Sequence, residues 1–203
     1  AEIGQLTSLR MLVLHANQLT SLPAEIGQPT ALKGLDLDGN RLMSVPAEIG
    51  QLTSLEKLDL SGNKLTSVPA EIEQLRESGC TVILDDDEDT EDEDDDEWET
   101  DDDVDTNSDI VVHTGDDVDV LRLWREREPG LQRVWQGDDP KDWKGVELDG
   151  DRVVKLDLNE VDFGDDKLTS VPAEIGQLTS MWILNLTGNQ LTSVPAEVGQ
   201  LAS

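Results

Sequence analysis

One phrase, written again and again, limits what this chain can fold into. Residues 168–181 read LTSVPAEIGQLTSM, and near copies end at Leu32, Leu55, Ser78 and the last residue. Aligned on it, units start at Leu9, Leu32 and Leu55, each 23 residues apart, and the start due at 78 finds Ser78 in place of leucine. The pattern resumes at Val153 and Met181, 28 apart, so five residues are inserted, with GDDK at 164–167 among them. The phrase holds hydroxyls but no base to activate them, no metal-ligand pair and no phosphate loop, so its repetition builds shape rather than chemistry.

Each unit reads LxxLxLxxNxL, as at Leu9, Leu12, Leu14, Asn17, Leu19 and again from Leu32 and Leu55. Its centre alternates with period two: Leu58 and Leu60 point in while Lys57, Asp59 and Ser61 point out, which predicts a short strand. Stacked units make a parallel sheet. Asn17, Asn40, Asn63 and Asn189 recur where the chain turns away, and a buried amide there can bond backbone groups that turning leaves unpaired. In the return half, Pro46 fixes φ at a helix start, Glu48 favours its positive end, Ile49 and Leu52 pack inward and Gly50 ends the turn. Pro29 stands where Leu52 stands one unit later, which predicts local distortion. A return arm bulkier than its strand curves the stack with strands on the concave side.

This pattern resembles the leucine-rich repeat over residues 1–86 and 151–203, and its 23-residue length with LTSVPAEI resembles the Ras-suppressor-like and plant intracellular Ras-group classes of that family. The resemblance implies an α/β solenoid of horseshoe segments. Four segments are expected: a repeat block at 1–86, an acidic disordered linker at 87–117, a region at 118–150 similar to the caps that precede some such arrays, and a second repeat block at 151–203. The first block closes on a strand in SGCTVILDD, with Thr81 and Ile83 inward and Cys80, Val82 and Leu84 outward. Val120, Leu121, Leu123 and Trp124 form the apolar face of one brief helix before Pro129, and GVELDGDRVVKLDL reads as a hairpin turning at Asp149-Gly150. With the blocks apart, Leu12, Leu14, Ile26, Leu184, Leu186 and Val198 each lack a neighbour, which predicts self-association through uncapped ends.

The net charge of -31 is uneven, because 85–105 hold 17 Asp and Glu and no Lys or Arg, leaving -14 elsewhere. Such a surface repels nucleic acid and anionic membrane and attracts basic proteins. A lone cysteine, Cys80, forms no intramolecular disulfide, so the expected location is intracellular, cytoplasmic before nuclear. Catalysis is not expected: Cys80 lies three strand spacings from His15, about 14 Å, and His113 falls in the linker. A calcium loop at 101–107 fails because Thr106 and Val112 stand where Gly and Glu are needed. No cofactor or metal is implied. Trp124, Trp135 and Trp143 are assigned to the core of the cap, and Trp182 to strand entry in the last unit.

The outward triplets then carry the functional expectation: a noncatalytic protein-interaction scaffold on the concave face, binding a partner with a basic segment, with intracellular signalling implied by the resemblance. The expected contact residues are Val13, His15, Asp36, Asp38, Lys57, Asp59, Ser61, Asp157, Asn159 and Asn185. Two alternatives stand beside it. One is an acidic chaperone or buffer for histone-like proteins through 85–105; the other is a fragment or fusion of two arrays with no function of its own.

Overall fold

The computed structural model describes residues 9–85, 117–159 and 161–202. In chain order the strands and helices are β1 (Met11–Val13), β2 (Gly34–Asp36), β3 (Lys57–Asp59), α1 (Ala70–Glu77), β4 (Thr81–Ile83), α2 (Asp117–Arg127), α3 (Pro129–Val134), β5 (Val146–Asp149), β6 (Arg152–Asp157) and β7 (Ile183–Asn185). In space they form one seven-stranded sheet in the order β4-β3-β2-β1-β7-β6-β5. All neighbours are parallel except β5 and β6, the expected hairpin, whose Gly150 takes a φ of 59°.

The two repeat blocks are therefore not apart. The second stacks in front of the first, with Met11, Leu12 and Val13 in register with Ile183, Leu184 and Asn185. This corrects the expectation of open ends: Leu12, Leu14, Ile26, Leu184 and Leu186 have no exposed surface and Val198 has 1%. The reason is complementarity, since each block's bare layer of leucines is the surface the other lacks. Trp182, at strand entry in the last unit, is half-buried, and its carbonyl accepts from the Arg10 and Met11 amides. The interval 87–117 lies outside the described residues as far as 116, and α2 starts at Asp117.

The asparagine ladder forms as the repeat predicts. Asn40 donates to the carbonyls of Leu14, Leu37 and Asp38 and accepts from the Leu19 amide, while Asn63 does the same one unit on. Asn17 carries the ladder across the seam between blocks, donating to the Leu186 carbonyl at 3.0 Å and accepting from the Leu191 amide at 3.1 Å. Just before each asparagine the chain needs a left-handed residue. Gly39, Gly62 and Gly188 supply it, but the first unit has Ala16 there, at φ 52°. Ala16→Gly is expected to raise stability by about 1 kcal/mol by removing the Cβ clash of that conformation, measured as a higher urea midpoint at unchanged slope.

The return arms correct the sequence reading in detail. They are short 3-10 segments at Ala24–Gly27, Ala47–Gln51, Ala173–Gln177 and Ala196–Ala202, each after a proline in extended conformation where its N-cap is defined. The arm before Pro29 stops at Gly27, earlier than its counterpart at Gln51. Gly50 does not end its turn; it lies inside it, because the next arm passes against it and a Cβ there would meet the Glu71 Cβ at 2.7 Å. Gly27 faces Glu48, Gly176 faces Glu197 and Gly199 faces Glu25 in the same way, so arm packing is also continuous across the seam. In the arm before β4, Glu73 replaces glycine and the segment lengthens into α1.

That longer arm inserts one residue and slips the final strand. Lys57, Leu58 and Asp59 pair with Thr81, Val82 and Ile83, so Val82 points in and Thr81 and Ile83 point out, the reverse of the expectation. A one-residue shift exchanges the faces of a strand. Cys80 is also buried rather than outward, at 5% exposure.

The cap holds two helices where one was expected. Trp124, Trp135 and Trp143 are its core: Trp124 meets Trp135 edge-on and Trp135 stacks on Trp143 at 4.9 Å. Two buried carboxylates, not anticipated from sequence, pin the cap to the unit that starts at Val153. Glu128 accepts from the Ser170 amide and from the hydroxyls of Thr169 and Ser170, and Asp117 accepts from the Val153 amide at 2.9 Å. The insertion near GDDK has a use here, because Gly130 of α3 packs directly on the Asp166 carbonyl and Arg133 donates to the Asp162 carbonyl.

Candidate functional site

Side chains on the outer face of the strands line up in rows, because parallel strands in register place equivalent residues side by side. With the blocks joined, the rows run across both. The first holds Lys155, Ile183, Met11, Gly34, Lys57 and Thr81; the second holds Asp157, Asn185, Val13, Asp36, Asp59 and Ile83. Asn159, Thr187, His15, Asp38, Ser61 and Asp85 follow where the strands end. The structure thus brings all ten expected contact residues onto one face, and adds Thr81, Ile83 and Asp85, which the slip in β4 had hidden from the sequence reading.

The second row repeats one local device. An aspartate or asparagine accepts from the backbone amide two residues on: Asp36 from Asp38, Asp59 from Ser61, Asn185 from Thr187 and Asp157 from Asn159, at 3.0 to 3.3 Å. This fixes the carboxylates where the chain leaves the sheet. Around them a polar chain runs from His15 Nδ1, 2.8 Å from Asp38, through Asp38 to the Ser61 hydroxyl, which also reaches Asp59. Lys155 lies 3.9 Å from Asp157 at the other end.

Charge and burial pull against each other at the centre. Asp36 is only 7% exposed, and burial raises its carboxyl from 3.8 to about 6, with Asp59 and Asp38 adding to the rise and the Asp38 amide and His15 opposing it. Burial likewise pushes the Cys80 thiol up, away from the thiolate a nucleophile needs. His15 and Ser61 sit on opposite oxygens of Asp38, so the imidazole is not placed to take the serine proton. Among the described residues, no group of three or more His, Cys, Asp or Glu could hold a metal ion. Nor is any described helix long and apolar enough to cross a membrane.

The leucine rich repeat family model matches residues 7–65 and, overlapping, 30–77. Residues 7–77 are leucine-rich repeats. Domains of this kind are in general non-enzymatic and mediate protein–protein interaction. Among solved structures, a leucine-rich repeat protein of Leptospira interrogans is similar at 30% identity, over 96% of this chain and 41% of that one, with a TM-score of 0.36. The chain spans about two fifths of that protein's length. No curated protein matches the sequence.

Proposed function

We propose that this protein is a noncatalytic recognition scaffold whose strand face takes a partner segment carrying basic side chains. The observation that supports this reading is the cluster of carboxylates Asp36, Asp59 and Asp38 spaced by the sheet, Asp36 and Asp59 held by backbone amides and Asp38 by the His15 imidazole and the Ser61 hydroxyl. Lys57 and Lys155 flank them in the first row and disfavour a uniformly basic ligand, so the fitted segment alternates basic and polar or acidic residues. The lone cysteine and the acidic surface fit an intracellular setting, which this reading adopts.

Titration of a short peptide alternating Lys and Ser against the full chain tests it. Asp38→Asn with Asp59→Asn is expected to weaken binding about tenfold and to flatten its salt dependence, as loss of two interfacial charges does. Equal affinity for both proteins would remove this face from consideration. The acidic residues 86–105, on which a histone-binding reading depends, lie outside the described residues; the same titration on a chain lacking 88–105 separates that reading, which requires binding to vanish there.

A further inference from the structure

We propose that the seam between β1 and β7 is an exchangeable interface whose fitting partner is a second copy of this chain, residues 9–85 of one copy completing the array on residues 117–202 of another. This rests on the fold and not on the recognition reading above. The seam joins parts of the chain far apart in sequence, yet every layer crosses it unbroken. Backbone bonds run from Leu186 N to Val13 O and from Gly188 N to His15 O, Asn17 carries the ladder, and Gly199 lies against Glu25 in the arm layer. None of these contacts depends on which copy supplies each side, so the exchanged and unexchanged forms share one interface and differ only in effective concentration.

The connection permits both. Thirty-one residues lie between Asp85 and Asp117, with a reach of about 100 Å when extended, against about 24 Å for the five strand spacings from β4 to β6, where Asp117 is anchored. The arm in front of β1 is filled by residues 196–202. The strand face is incomplete without the seam, since Asp157 and Asn185 lie on one side and Val13, Asp36 and Asp59 on the other.

Deleting residues 88–115 leaves three connecting residues, with a reach of about 14 Å, too short to let one chain close its own seam. In a Cys80→Ala background, Val13→Cys and Asn185→Cys place thiols on registered neighbours across the seam. The shortened chain, made as two preparations with one thiol each and mixed, is expected to sediment as a dimer and to give an interchain link with a short bis-maleimide. Full-length copies unfolded together and refolded at high concentration are expected to give the same link in part, while the doubly substituted full-length chain links within itself. A shortened chain that stays monomeric, or that associates without the Val13–Asn185 link, overturns the proposal. So does the absence of any interchain link between full-length copies while the intrachain control forms.

Discussion

Trp124→Ala is expected to destabilise the protein by about 3–5 kcal/mol and to loosen the cap before the repeats. Trp124 has no exposed surface, packs edge-on against Trp135 with ring centroids 6.3 Å apart, and donates its indole N–H to the Ser170 carbonyl at 3.1 Å. Truncation therefore removes a large apolar side chain, leaves a cavity at a point where α2 meets the return arm at Ala173–Gln177, and takes the donor from Ser170. Glu128 is the second half of the effect. It is buried and its carboxylate is tied to the Thr169 and Ser170 hydroxyls, so tilting α2 strains a charge that cannot easily find water. Loss of near-ultraviolet circular dichroism ahead of the far-ultraviolet signal, together with faster amide exchange in β5 and β6 than in β2 and β3, is the expected record. Coincident loss across the whole sheet would instead make cap and repeats one cooperative unit.

What the sequence made legible follows from what a repeat encodes. Leu58 and Leu60 inward, Asn40 and Asn63 in the ladder and Asp149-Gly150 at the hairpin turn are local consequences of spacing, and spacing is written in the chain. The seam is not local. Order along the chain placed the two blocks as successive arrays, whereas packing required only that bare layers meet, and the sign of this lay in register: Leu201 aligns with Leu52, so the position after Ser203 is that of Leu55, which is where Leu9 stands. The β4 slip was hidden for a related reason. Counting from Leu55 assumes an arm of constant length, and the substitution of Glu73 for the arm glycine, which lengthens that arm into a helix, carried the warning. The buried anchors Asp117 and Glu128 gave no signal in a stretch where acidic residues abound. Of the expected contact face, alternation identified which residues point outward, but not that Asp36 would be enclosed by its neighbours.

That enclosure sets the second large effect. Asp36→Asn is expected to stabilise the protein at neutral pH by up to about 3 kcal/mol, the equivalent of a carboxyl raised by about two pK units, and to leave stability below pH 3.8 nearly unchanged. The direction follows from proton counts. Between 3.8 and about 6 the folded protein holds the Asp36 proton that the unfolded chain has released, so this residue's contribution is fully present below 3.8 and is lost as the pH rises through about 6. Asparagine is neutral throughout, and its Oδ1 can keep the bond from the Asp38 amide, as Asn185 does at the equivalent place with Thr187. The wild-type and substituted proteins should therefore have converging denaturant midpoints at pH 3.5 and separate steadily up to pH 6.5, with other carboxylates cancelling in the difference. A pH-independent difference would show that Asp36 keeps its ordinary acidity and that burial is relieved by water. The array already holds an asparagine in this row, so an aspartate kept at a cost in stability is where a need other than folding is expected to act. On the recognition reading that need is the charge itself, and Asp36→Asn should then bind the alternating Lys/Ser peptide more weakly at pH 7 even as it folds more stably, with the two proteins converging in affinity as the pH falls below 6.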